Sequence, residues 1–183
     1  MTNDRIFGAY AYADAERPLT EFALSFVPLD CLAEWRRCGD IADYAARFLA
    51  YDYEDREAAV GVLSTVVNEI VENAVKFSDD RHTPARLRVR QYADSVRIDA
   101  TNRSAAGRGD AFAAALVEVL DGNPEALFAA RVATPLDAGG PGLGLIMLRR
   151  DYGAQLGVRL SFDGELAEVE IQVRIPSREV EQQ

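Results

Sequence analysis

Two periods of apolar residues alternate along the chain, one near 3.6 and one of 2, and their order predicts most of the elements. Residues 19–27 (Leu19 to Val27) read as a strand. Asp30 stands where it would cap the next helix, in which Leu32, Trp35, Ile41, Tyr44, Ala45 and Phe48 recur at helical spacing. A second helix is expected from about Glu54 to Phe77, with Leu63, Val66, Val67, Ile70, Ala74 and Phe77 as its apolar stripe. A hairpin follows. Over Arg86–Gln91 the apolar residues point one way and the arginines the other, and Val96, Ile98 and Ala100 repeat this across a turn at 92–95. Asp99 joins the arginines on the outward side, the pattern of a sheet with one covered and one wet face.

Residues 103–138 are rich in Ala and Gly, with weak helices around 110–120 and 124–131 bounded by Gly107, Gly109, Gly122 and Pro124. A long insertion of this kind reads as a mobile lid or binding loop. A glycine cluster then leads into a helix from about Gly142 to Tyr152. Strands Val158–Phe162 and Ala167–Ile175 are joined through Asp163-Gly164, a hairpin turn signal. The tail after Pro176 is polar and expected to fray. The order predicts an α+β fold, a two-layer α/β sandwich with helices on one face of a mixed, mostly antiparallel sheet. It forms one domain over residues 1–183, with an N-terminal strand–helix extension at 1–54 and a core at 55–176.

Composition agrees with a globule: 183 residues, 49% apolar and 27% charged, are enough for a substantial core. No apolar run is read as long enough to span a bilayer, and Met1-Thr2-Asn3-Asp4 does not resemble a secretory leader, so no membrane association is expected and the cytoplasm is the default compartment. A net charge of -10 argues against nucleic acid and anionic membranes as partners, both of which need phosphate neutralised. It leaves a nucleotide ligand open, since backbone dipoles and one lysine can hold a phosphate. Cys31 and Cys38, seven apart, read as small buried apolar groups rather than a disulfide, and with His82 the single histidine there are too few ligands for zinc. Ile6, Phe7, Tyr10 and Tyr12 fit a homodimer interface and a packed N-terminal strand equally well.

Glu69, Asn73 and Lys76 are spaced i, i+4, i+7 and share a helix face at the rim of the apolar stripe. An Asn carbonyl oxygen suits Mg²⁺, which prefers few protein ligands plus phosphate oxygens. Lys76 offers a point charge for phosphate, and Glu69 a base for a hydroxyl or water. A solvated face with a Glu–Lys pair explains the same spacing. Gly139-Gly140-Pro141-Gly142-Leu143-Gly144-Leu145 precedes a helix; glycines let a backbone approach a ligand, and the helix start presents N–H groups to an anion. A flexible connection is the plainer account, yet Gly142 and Gly144 at a helix start cost stability relative to Ala.

Together the two segments resemble the GHKL superfamily of ATPases, which includes gyrase, MutL, histidine kinases and the anti-sigma-factor kinases. Asn68–Ser78 looks like its N-box, with Glu69 and Asn73 at the Glu-x-x-x-Asn positions and Lys76 in the kinase-like one. Gly140–Leu145 looks like its glycine box, about 65 residues on. The resemblance covers roughly residues 55–175. It implies a Bergerat-type sandwich that binds ATP and Mg²⁺, with Asn73 on the metal, Glu69 as base, Gly140, Gly142, Leu143 and Gly144 at the phosphates, and 103–138 as the ATP lid. One departure stands out: the family's adenine-binding Asp, with its Gly-x-Gly, is replaced by Thr101-Asn102-Arg103-Ser104. Asn102 can still accept from the adenine amine, as a neutral and weaker partner. As a residue with no ligand it would simply end its strand.

The absence of a phosphoacceptor-histidine helix pair, the altered second box and the N-terminal extension make the chain most similar to the SiaB-type regulators among partner-switching kinases. That resemblance implies a Ser/Thr protein kinase acting on a small anti-sigma-antagonist-like (STAS-like) protein. The alternative is a non-catalytic module that sequesters a regulatory partner; an ATPase without a protein acceptor is a third reading.

Overall fold

The computed structural model describes residues 3–13, 16–133 and 143–181. Six strands, β1 (Asn3–Gly8), β2 (Thr20–Phe26), β3 (Ala85–Gln91), β4 (Ser95–Ala105), β5 (Gln155–Asp163) and β6 (Leu166–Pro176), form one sheet in the order β1-β5-β6-β4-β3-β2. Every neighbouring pair is antiparallel, so the sheet is not mixed as expected. The fold is the α+β two-layer arrangement the patterning predicts. The N-terminal extension is no appendage. Its β2 forms one edge of the sheet and its β1, paired with β5, forms the other.

Helices α1 (Pro28–Ala33), α2 (Arg36–Leu49), α3 (Arg56–Lys76), α4 (Ala106–Asp121), α5 (Pro124–Val132), α6 (Leu143–Tyr152) and α7 (Ser177–Glu181) complete the described chain. The single helix expected after Asp30 is broken into α1 and α2 where Glu34 is extended, at φ -141° and ψ 94°. Asp30 lies in the first turn of α1 rather than capping it, since Pro28 already starts the helix after Val27. The buried face overlaps the expected one only in part. Ala45 packs inward as expected and Ile41 rests against the core, but Cys38, Ala42, Ala46 and Leu49 supply the rest, while Tyr44 and Phe48 are 64% and 44% exposed. Small residues let α2 approach α3 closely, and the larger aromatics are left outside. Cys31 and Cys38 are buried free thiols, and burial pushes the Cys38 thiol up to about 12.

α3 carries the centre of the core. Asp55 caps it, accepting from the N–H groups of Glu57 and Ala58, and Leu63, Val66, Val67 and Ile70 are fully enclosed. Truncating Leu63 or Ile70 to Ala would cost about 2–5 kcal/mol. Contrary to the sequence reading, α3 is long and apolar enough, by length and hydropathy alone, to cross a bilayer. Its apolar face is nevertheless spent on the fold's interior.

Two further expectations fail for identifiable reasons. The tail after Pro176 is ordered over Ser177–Glu181: α7 forms and Val180 is fully buried. The arginine-bearing face of the sheet is not uniformly wet. Arg90, Arg97 and Asp99 are buried on it, because the chain after β1 crosses there and Arg97 donates to the carbonyl of Ala11. Asp99 accepts from both arginines.

Candidate functional site

The helical period of α3 sets its last polar residues on a gradient from core to solvent. Asn73 is 6% exposed, Glu69 half-buried and Lys76 exposed. Asn73 looks onto β4 and β6, where Asn102 sits inside β4 opposite Val169. Asn102 therefore does not end its strand, which continues to Ala105. Asn73 and Asn102 line one small cavity with Phe77, Phe112, Val169 and Ile171. Both Nδ2 groups are buried there without a hydrogen-bond partner. A buried unsatisfied donor costs about 1–3 kcal/mol, so two facing one space are hard to explain by stability alone.

The cavity holds about 10 Å³, the room of roughly one water. It is narrow because α4 covers it. Gly109 and Phe112 of that helix line it, and the Phe112 ring packs 5.4 Å from Phe77. The segment expected as a loose lid is, over 103–133, the end of β4 followed by α4 and α5; residues 134–138 of it lie outside the described residues. α5 has no buried residue, whereas Phe112, Ala113, Leu116 and Val119 of α4 are buried.

A clasp fixes the start of α4 to the end of α3. Asp79 Oδ2 accepts from Ser104 Oγ at 3.1 Å and from the Ala105 N–H at 2.8 Å, and Oδ1 meets Arg108 Nη1 at 2.5 Å. The Asp79 N–H donates to Arg103 O, and Arg108 reaches back to the Lys76 carbonyl. Burial works to raise the Asp79 carboxyl, but the donors from Ala105, Arg108 and Ser104 outweigh it and hold it below the ordinary aspartate range.

On the other side of the stripe, Glu69 meets the start of α6. A β-carbon placed on Gly144 would overlap the Glu69 carboxylate, so Glu69 can hold this position only with glycine there. Burial is the main cause that raises the Glu69 carboxyl; Glu72 adds to it and Lys76 partly offsets it. Gly144 is buried and Leu143, the first residue of α6, is half-buried. Gly140 and Gly142 lie outside the described residues.

Lys76 is otherwise engaged. Its Nζ pairs with Glu72 at 2.8 Å and lies 5.3 Å from the centre of the Trp35 ring. Glu72 also accepts from Asn68 and Trp35. The structure thus brings Asn73, Asn102 and α4 together at one space and Glu69 and Gly144 at another, and turns Lys76 toward α2. The sequence reading missed Asp79, Arg108, Phe112 and Glu72. Asp79 and Arg108 sit 29 residues apart on either side of the hairpin, and no periodicity links such positions.

No family model matches the sequence, and no curated protein matches it significantly. Among solved structures the fold resembles a chain of the SiaB–SiaC complex from Pseudomonas aeruginosa. The TM-score is 0.64 and the identity 18%, with 87% of this chain and 91% of that chain covered. At that identity the likeness concerns the fold.

Proposed function

We propose that this chain is a GHKL-type nucleotide-binding protein of a bacterial partner-switching pair, and that it phosphorylates a Ser or Thr on a small STAS-like antagonist. The observation that carries the reading is the pair of buried, unpartnered amides of Asn73 and Asn102 in one cavity. The fold's likeness to a chain crystallised as a SiaB–SiaC complex supports a small protein as the partner.

The residue types fit the ligand class. The Oδ1 of Asn73 would be a hard neutral ligand for Mg²⁺ and that of Asn102 an acceptor for an exocyclic amine, while the two unpartnered Nδ2 groups would donate to acceptor atoms of the nucleotide. ATP with Mg²⁺ would supply the phosphoryl group and the charge to neutralise it; positioning and electrostatics are then the protein's task. Leu143 and Gly144 open α6, where the N–H groups of a helix start would be offered to an anion. Glu69, half-buried and raised by burial, is suited to hold a hydroxyl's proton beside that helix start. Lys76, exposed on a long flexible stem, reaches a phosphate once it leaves Glu72. Phe112 and Gly109 must withdraw with α4 before a base can enter.

A second reading has its own support. A module that binds a partner without catalysis would have a cavity closed by Phe112 and a neutral Asn102 where related ATPases carry Asp. Titrating ATP with and without Mg²⁺ separates the two. The kinase reading expects Mg²⁺-dependent binding that Asn73→Ala abolishes, and in Glu69→Ala binding without transfer to a co-purified partner. No binding at millimolar nucleotide would decide for the module.

A further inference from the structure

Trp35, the only tryptophan of the chain, stands at the bend between α1 and α2. It is 38% exposed, and its indole N–H donates to Glu72 Oε1 at 3.3 Å. The same oxygen accepts from Asn68 Nδ2 at 3.0 Å, and Oε2 accepts from Lys76 Nζ at 2.8 Å. The Lys76 ammonium also lies 5.3 Å from the centre of the Trp35 ring. One carboxylate thus takes three donors, and the lysine is held both by charge and by an aromatic ring.

This is more than the usual surface pair of a helix. Arg47 meets Asp43 at the same i,i+4 spacing but at 4.0 Å, with both side chains more than half exposed. The Glu72 side chain is 19% exposed, and burial works to raise its carboxyl. The donors from Lys76, Asn68 and Trp35 outweigh burial and hold it below the ordinary glutamate range. A carboxylate so supplied stays ionised at neutral pH and keeps its hold on Lys76.

The same two charges are felt at the candidate base. After burial, Glu72 is the cause that raises the Glu69 carboxyl, and Lys76 lowers it. Glu69 in turn sits against Gly144 at the start of α6. Lys76 therefore lies within electrostatic range of that helix start while bound to a different partner.

We infer that Glu72 is a positioning residue for the proposed phosphate site, storing the Lys76 ammonium with Trp35 until the phosphates of a nucleotide draw it off. The inference rests on the nucleotide reading and adds what sets the affinity. Breaking the Glu72–Lys76 pair opposes binding, so only a ligand that carries phosphate recruits the lysine. Once Lys76 has moved, the Glu72 charge stands unneutralised near Glu69 and strengthens it as a proton acceptor.

Calorimetric titration of Mg²⁺-ATP into the full chain tests this as a double-mutant cycle. Glu72→Gln keeps the shape of the side chain and an acceptor for Asn68 and Trp35, and it removes the charge that holds Lys76. Binding should tighten by roughly threefold to fivefold, the scale of a partly screened ion pair. The gain should vanish in a Lys76→Met background, where there is no lysine to release. A gain that persists there is plain repulsion between Glu72 and the nucleotide and overturns the inference. An affinity unchanged or weakened in Glu72→Gln does the same, while leaving the nucleotide reading intact. Trp35 gives a second readout: its emission should change when Mg²⁺-ATP binds the wild type, and a silent Trp35 at saturating nucleotide also overturns the inference. That readout decides alone if Lys76→Met does not bind. If the wild type binds no nucleotide at millimolar concentration, the nucleotide reading and this inference fall together.

Discussion

The carboxylate of Glu69 occupies the space that a β-carbon at position 144 would need. Helix α6 and the last turns of α3 therefore meet through an acid and a glycine, and changing either reports on the other. In Gly144→Ala the overlapping atoms belong to the free end of a flexible side chain, so Glu69 swings away and the fold survives. Ala also gains up to about 1 kcal/mol of helix propensity over Gly. The expected outcome is a melting temperature equal to or above wild type, with phosphoryl transfer reduced as severely as in Glu69→Ala. A sharp loss of stability would mean that backbone, not the carboxylate, yields.

Glu69 also sets a pH dependence. Its carboxyl is raised in the folded chain above the ordinary glutamate value of 4.5, chiefly by burial. A raised acid favours the folded state while protonated, so its contribution is full below 4.5 and is lost as pH rises through the folded value. Glu69→Gln, which cannot ionise, should be more heat-stable than wild type at neutral pH, and the difference should vanish below the ordinary carboxylate range. Thermal melts across pH values from about 3 to about 8 check the sign.

The two orphaned amides predict a trade of function for stability. Asn73→Leu removes a buried donor that has no partner and should raise the unfolding free energy by about 1–2 kcal/mol in urea. The same variant should lose Mg²⁺-dependent nucleotide binding. A loss of stability instead would show that the amide is satisfied within the folded chain.

The clasp at Asp79 makes a kinetic prediction. Arg108→Ala deletes a half-exposed ion pair, worth less than about 1 kcal/mol globally. Locally it frees the start of α4, so amide exchange across residues 106–113 should speed up while α3 is unchanged. If α4 guards the cavity, nucleotide affinity should rise in the same variant. Unchanged exchange in α4 would show that Phe112 packing alone holds the helix.

Much of this was legible from residue order, and the failures have physical causes. The 3.6 period found α3 within two residues at its start, because ten of its residues face the core and Asp55 is a strong cap. The period of two found both hairpins, though β4 and β6 run further than their apolar alternation. The face of α2 was misread in part because Cys38, Ala42 and Ala46 bury more completely than the larger Tyr44 and Phe48, and size alone suggested the reverse. Of the candidate site, Glu69, Asn73 and Asn102 were readable as a motif, but the cover over them was not. Whether α4 lies open or shut is decided by Phe112 against Phe77 and by Arg108 against Asp79, contacts between positions distant in sequence.

The pairing of β1 with β5 has a consequence for how the chain is made. Asn3 registers with Phe162 and Gly8 with Gly157, so β1 has no neighbour to pair with until the chain has been made as far as β5. Closing so long a loop comes at a high entropic cost and late in time. A nascent chain would hold β2, α3 and the β3–β4 hairpin as an early nucleus, with β1 unpaired until β5 and β6 have been made.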